Sequence, residues 1–105
     1  MGYLSLTFLF GAFNGAIAFN QDLSSWNVSS ATFLPDMFLG ATNFSAANYD
    51  KLLATWSQQN IQSNVSFGAP PTYYCNVTAR NVFVNTFGWT ISGDTGEGTA
   101  EQCTP

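Results

Sequence analysis

An α/β solenoid closed by a non-repeating C-terminal cap is the fold class that this sequence predicts, and three observations predict it. First, the chain matches itself at a shift of 25 residues: Ser5, Thr7, Phe8 and Leu9 fall on Ser30, Thr32, Phe33 and Leu34, Phe13 on Phe38, Gly15-Ala16 on Gly40-Ala41, and Phe19 on Phe44. Eight of the sixteen pairs from Ser5 to Asn20 are identical, and a period in this range marks coils that stack and bury their apolar sides on one another. Second, the period breaks after Phe44. Leu53 and Trp56 repeat Leu23 and Trp26 at a shift of 30, so five residues are inserted where a helical spacing begins. Third, from Ile61 onward the texture changes to short apolar runs punctuated by Pro and Gly, as expected of an atypical terminal unit that covers the apolar end of a stack. The chain divides accordingly into two repeats over 1–48, a capping region over 49–92 and a tail over 93–105.

The elements follow in order. Residues 5–18 and 30–43 are two copies of a helical or irregular turn, with Phe8, Leu9 and Phe13, and then Phe33, Leu34, Met37 and Phe38, forming one inward face. Thr7 and Thr32 stand where an N-cap belongs, Gly15 and Gly40 where a left-handed C-terminal residue belongs. Pro35 fits a helix only in its first turn. Between the copies, Phe19 to Val28 carries Leu23, Trp26 and Val28 too close together, and too interrupted by Ser, for a helix. A short parallel strand with a tight bend, one per coil, fits better. Asn20 and Asn27 are placed to bond free backbone groups at the corners. Tyr49, Leu52, Leu53 and Trp56 then take helical spacing, capped by Ser45 or Asn48. Ile61, Val65 and Phe67 read as a strand ended by Gly68-Ala69-Pro70-Pro71. Asn76 opens a second helix with Val82, Phe83 and Phe87 inward, Gly88 stops it, and Trp89 to Ser92 is a final strand. The Gly-, Thr- and acid-rich tail is tied down by Cys103 alone.

The totals narrow the functional classes. A chain of 105 residues is one domain or part of one. Charged residues make up 8% of it, against about 25% in an ordinary soluble domain. The net charge is −4 and Lys51 and Arg80 are the only cations, which excludes the basic footprint that nucleic acid needs. The polar fraction is Asn, Ser, Thr and Gln, which suits stacked turns and an extracellular surface. No stretch of 18 apolar residues implies a transmembrane helix. The apolar N-terminus admits two readings. Ala16-Ile17-Ala18 resembles a signal-peptidase site, but no Lys or Arg precedes the apolar run, and the residues keep register with 31–41. The register favours a genuine repeat, and with it a chain that is the C-terminal piece of a longer array.

Phe19 to Ser29 reads FNQDLSSWNVS, and Met37 to Phe44 reads MFLGATNF. Both resemble the BspA-type leucine-rich repeats of bacterial, protist and algal surface proteins, whose unit runs roughly MF-x-x-A-x-x-FNQDLSSW-[ND]-VS-x-VT-x-M. Tyr49-x-x-Leu52-Leu53-x-x-Trp56, the Tyr74-Cys75-Asn76 turn and Phe87-Gly88-Trp89-Thr90-Ile91 are similar to that family's C-terminal end. The resemblance covers about residues 5–103 and departs from the pattern at Phe33, Leu34 and Pro35. It implies a right-handed, leucine-rich-repeat-like solenoid of short parallel strands and short helices, exposed at a cell surface. Some members of that family act as adhesins. It implies no catalytic residues and no cofactor.

Cys75 and Cys103 are expected to form a disulfide that ties the tail, the alternative being two free buried thiols. Asn27, Asn43, Asn64 and Asn76 head N-x-S/T triplets, candidate glycosylation sites in a secreted or surface protein. Trp26 and Trp56 are core or coil-edge residues before they are a binding platform. Asp94, Glu97 and Glu101 lack the spacing of a calcium loop, and Asp22, Asp36 and Asp50 are too dispersed for acid–base work. With no His and both Cys expected to pair, an enzyme is not expected, nor a metal site. The expectation is a secreted or surface module that binds a protein or glycan. The alternative is a purely structural end cap of a longer array or filament. Tyr3, Leu4, Leu6 and Phe8 form the first coil's uncapped edge, where a further repeat or another copy of the chain would pack.

Overall fold

The computed structural model describes Gly15 and residues 18–103. Tyr3, Leu4, Leu6 and Phe8, and with them the proposed N-terminal edge and all of the first copy of the turn but Gly15 and Ala18, lie outside the described residues.

Repeat-equivalent residues touch. Gly15 and Gly40 both take left-handed backbone, with φ of 74° and 82°. The Gly15 N–H donates to the Leu39 carbonyl (2.6 Å), and a Cβ on Gly40 would stand 3.3 Å from the Gly15 backbone. Phe19 lies parallel to Phe44, with ring centroids 5.9 Å apart and planes 10° apart. Asn20 Oδ1 accepts the Ser45 N–H (2.9 Å). Gly15 and Gly40, Phe19 and Phe44, and Asn20 and Ser45 are each 25 apart, the step of the sequence repeat, and the Gly15–Leu39 bond falls one residue short of it.

Residues 18–45 hold turns and bridges instead of regular elements. Over 30–43 no helix forms, and Thr32 caps nothing helical. The reason lies in Leu34 and Pro35. The Leu34 N–H donates to the Ser66 carbonyl (2.9 Å) and its carbonyl accepts the Gly68 N–H (2.8 Å), so its backbone is spent on the neighbouring coil. Pro35 has no N–H to give a helix, and Asp36 follows it at a φ of 54°. The strand expected over Phe19–Val28 reduces to a bridge residue at Asn27 after a turn at Ser24-Ser25. Asn27 Oδ1 accepts from the Ser29 N–H (3.0 Å) and hydroxyl (2.6 Å), which bends the chain instead of extending it.

From Ser45 regular elements appear. Helix α1 (Ala46–Trp56) starts where the Ser45 hydroxyl accepts the Asn48 N–H (3.1 Å), and it buries Tyr49, Leu52, Leu53 and Trp56. Strand β1 (Ser66–Gly68) and strand β2 (Tyr73–Tyr74) follow. Helix α2 (Val77–Asn81) is capped by Asn76, whose Oδ1 accepts the Ala79 N–H (3.0 Å), and it runs into a π-helical turn (Val82–Thr86). Strand β3 (Thr90–Ser92) pairs in parallel with β1, and strand β4 (Gly96–Glu97) in parallel with β2.

With the bridge at Leu34, the first pair becomes a three-rung ladder: Leu34 faces Phe67 and Phe67 faces Ile91. Parallel in-register pairing keeps these side chains on one face, and Leu34 and Phe67 are buried there. The step from Leu34 to Phe67 is 33 residues, eight more than 25, so the insertion that makes room for α1 is eight residues and not five. Side chains seal the longer coil. Trp56 Nε1 donates to the Leu23 carbonyl (3.0 Å), Gln59 exchanges bonds with Trp26 and Val28, and Gln62 donates to the Ser29 carbonyl (2.9 Å).

The core is an aromatic column along the stack. Phe44 meets Phe38 at 4.9 Å, Phe38 meets Phe67 at 6.1 Å, Phe67 meets Trp89 at 5.8 Å, and Trp89 meets Phe83 at 4.8 Å, all tilted or edge-on. Each such contact contributes about 0.5–1.5 kcal/mol beyond burial. Among the described residues every buried side-chain nitrogen and oxygen has a hydrogen-bond partner.

Candidate functional site

Two regions bring polar or aromatic side chains to the surface in a defined arrangement. The first is the outer face of the ladder. Residues one before each rung, Phe33, Ser66 and Thr90, alternate away from the core and are exposed, Phe33 to 38%. Leu39, 55% exposed, stands on the adjoining turn. The ladder residues of this face carry no charge.

The second is a cavity of about 260 Å³ at the cap, lined by Ala46, Ala47, Asp50, Tyr73, Gln102 and the Cys75–Cys103 disulfide. The first turn of α1 supplies the two alanines, and Asp50 lies one turn further along that helix. Asp50 Oδ1 accepts the N–H groups of Cys75 (2.9 Å) and Asn76 (3.0 Å), which anchors the carboxylate to the chain entering α2. Tyr73 comes from β2. Gln102 and Cys103 come from the tail, which β4 lays beside β2, with the Gly98 N–H donating to the Tyr74 carbonyl (2.8 Å).

Beside the cavity lies a polar network that sequence reasoning missed. Asp94, expected in a solvated tail, accepts from Arg80 Nε (2.8 Å) and Nη2 (3.1 Å) and from the Tyr49 hydroxyl (2.6 Å). The carboxylate side chain is 6% exposed and the guanidinium 19%. The Arg80 guanidinium also lies over the Tyr74 ring, 4.6 Å from its centroid. Burial, and then the hydrogen bond to Asp94, push the Tyr49 hydroxyl well above the usual phenol value. Burial opposes the Arg80 charge, but the bonds to Asp94 outweigh it and hold the guanidinium above its ordinary value. The tail is therefore tied by this bridge and by β4 as well as by Cys103. The available signal was a lone Arg in a chain almost without cations, which calls for a carboxylate partner but does not say which one.

The other candidates fall as follows. Trp56 is fully buried, and Trp26 is half-buried against the core. Asn43 and Asn64 are exposed, while Asn27 and Asn76 are half-buried and engaged through their side-chain oxygens. Glu97 and Glu101 stay exposed and apart from Asp94, and among the described residues no group of three His, Cys, Asp or Glu side chains is arranged to hold a metal ion. Asp22 is exposed, and hydrogen bonds from the Ser24 hydroxyl and N–H hold its carboxyl below the usual range. Its contact with Lys51 at 3.9 Å is solvent-exposed and adds little. Asp36 is exposed on the turn after Pro35. No described helix is long and apolar enough to cross a membrane.

Equivalent residues stacked at the repeat step, followed by a non-repeating end, define a protein built on an internal repeat. The family described as "Mycoplasma protein of unknown function, DUF285" matches residues 5–70, more than half of the chain, and the chain belongs to that family. No curated protein and no solved structure matches.

Proposed function

We propose that the chain is the C-terminal part of a BspA-type leucine-rich-repeat array, a right-handed solenoid held outside the cell, and that it acts as a binding or adhesion module for a protein or glycan. The observation that carries this reading is the ladder face: Phe33, Ser66 and Thr90 form an exposed, uncharged row with one aromatic on a rigid three-rung support. An apolar anchor ringed by neutral hydrogen-bonding groups is the composition of a recognition surface. The Cys75–Cys103 disulfide supports an oxidising, extracytoplasmic compartment.

The test is binding of the purified chain to a panel of immobilised matrix proteins and glycans. The expected outcome is saturable binding that Phe33→Asp or Thr90→Arg weakens about tenfold or more, with circular dichroism unchanged. Absence of binding across the panel, or binding indifferent to both substitutions, would overturn the reading. A second reading, a purely structural end cap, is supported by the sealing of the C-terminal end through Arg80, Asp94 and the disulfide. It gains if the chain binds nothing yet raises the melting temperature of preceding repeats fused to it.

A further inference from the structure

We propose that the cap cavity beside the Cys75–Cys103 disulfide is a saccharide-binding site, distinct from the ladder face. At about 260 Å³ it falls just below the range of drug-sized pockets, which suits a ligand the size of a sugar ring. Its polar groups are preset and unspent. Asp50 Oδ1 is taken by two backbone N–H groups, which orients the carboxylate and leaves Oδ2 with no hydrogen-bond partner among the described residues. Gln102 is fixed in the same way: its Oε1 accepts the Thr99 N–H (2.8 Å) and its own N–H donates to the Thr99 hydroxyl (3.2 Å), while its amide NH₂ makes no bond. The Tyr73 hydroxyl likewise has no partner among the described residues. The residues lining the cavity thus carry an unused acceptor, an unused donor pair and a hydroxyl that does both. The Tyr73 ring, Ala46, Ala47 and the disulfide complete its lining.

A sugar ring satisfies all of these together. Its hydroxyls donate to Asp50 and accept from Gln102, and its C–H face packs on Tyr73. Other ligand classes leave something unmet. An anion would face the Asp50 carboxylate, and the nearby Arg80 is already committed to Asp94. An apolar ligand would strip water from Asp50 and Gln102 without replacing its hydrogen bonds. A basic side chain would satisfy Asp50 but leave the Gln102 donors unpaired. Since Gln102 arrives on the tail that the disulfide pins, the site is complete only with the tail in place.

The inference rests on the reading of the chain as a binding module, and the test separates the two. Methyl α-mannoside, methyl β-galactoside, methyl β-glucoside and N-acetylglucosamine are titrated at millimolar concentrations, with saturation-transfer NMR as the readout. At least one is expected to bind. Gln102→Leu, at an exposed tail position, should weaken binding about fivefold, the loss of one neutral hydrogen bond. Tyr73→Ala should weaken it about tenfold, and Phe33→Asp should leave it unchanged. No binding by any glycoside, or binding of an arginine-rich peptide in their place, overturns the saccharide site; if the matrix panel still binds, the binding-module reading stands without it. Glycoside binding lost on Phe33→Asp and kept in Gln102→Leu moves the sugar to the ladder face and also overturns this site.

Discussion

Tyr49 carries three jobs on one side chain. Its ring is buried under the cap and meets Tyr74 edge-on at 6.5 Å, and its hydroxyl donates to Asp94. The raised ionisation point gives a pH dependence whose sign is fixed. Unfolded tyrosine loses its proton near pH 10, roughly its unperturbed value. The folded state, held protonated by burial and by Asp94, does not follow until higher pH. Above about pH 10 the unfolded chain therefore binds fewer protons than the folded one, and stability falls as pH rises. Tyr49→Phe should cost about 1 kcal/mol at neutral pH, the loss of one hydrogen bond. It should also make the alkaline loss shallower. Denaturant unfolding across neutral and alkaline pH checks this, and parallel curves for the two proteins would show that Tyr49 does not control the alkaline limb.

Among the elements, β1 is held by what crosses it. The turn after Pro35 passes directly over Gly68, the last residue of that strand, and Phe38 donates its N–H to the Gly68 carbonyl (3.1 Å). A Cβ on Gly68 would collide with the backbone of that turn, 2.6 Å from Asp36 Cα and 2.7 Å from the Met37 nitrogen, as well as with the Asp36 nitrogen. Backbone cannot swing aside as a side chain can. Gly68→Ala should therefore push the turn off the ladder and cost about 2–3 kcal/mol, in the range of overpacking a filled site. Thermal unfolding measures it, and a loss below about 0.5 kcal/mol, within the scatter of ordinary surface changes, would mean that the turn does not lie on β1.

At the scale of the whole molecule, the cap is closed by long-range ties of different kinds. The disulfide spans 28 residues, from the entry of α2 to the tail. Closing a loop of that length stabilises by about 3–4 kcal/mol in the chain-entropy model. The double substitution Cys75→Ser with Cys103→Ser should lower stability by about that amount. Hydrogen exchange should quicken first over 95–103, where the remaining ties are few. If the tail stayed as protected as in the parent chain, the Arg80–Asp94 bridge and β4 would be sufficient closure by themselves. The aromatic column from Phe44 to Phe83 is independent of the tail and should keep the near-ultraviolet signal of its Trp and Phe rings in either case.

The sequence by itself determined whatever depends on neighbours along the chain or on the repeat step. Gly15 on Gly40 and Phe19 on Phe44 follow from identities at the 25-residue step, and Asn20 against Ser45 from the same register, because like segments lie in register. The starts of α1 at Ser45 and α2 at Asn76 follow from side chains that reach only a few residues. It favoured a Cys75–Cys103 bridge over free thiols on composition alone, since an even count carries no distance. Tertiary structure alone decided the 33-residue step from Leu34 to Phe67, the burial of Asp94 on Arg80 and Tyr49, and the seat of Asp50 on the Cys75 and Asn76 N–H groups. These contacts join residues 14 to 45 apart and satisfy backbone or charged groups that become needy only once the coils are stacked. An aspartate in a Gly- and Thr-rich tail has the composition of a solvated residue. The guanidinium of Arg80, fixed in place by the fold, is the partner that holds it inside.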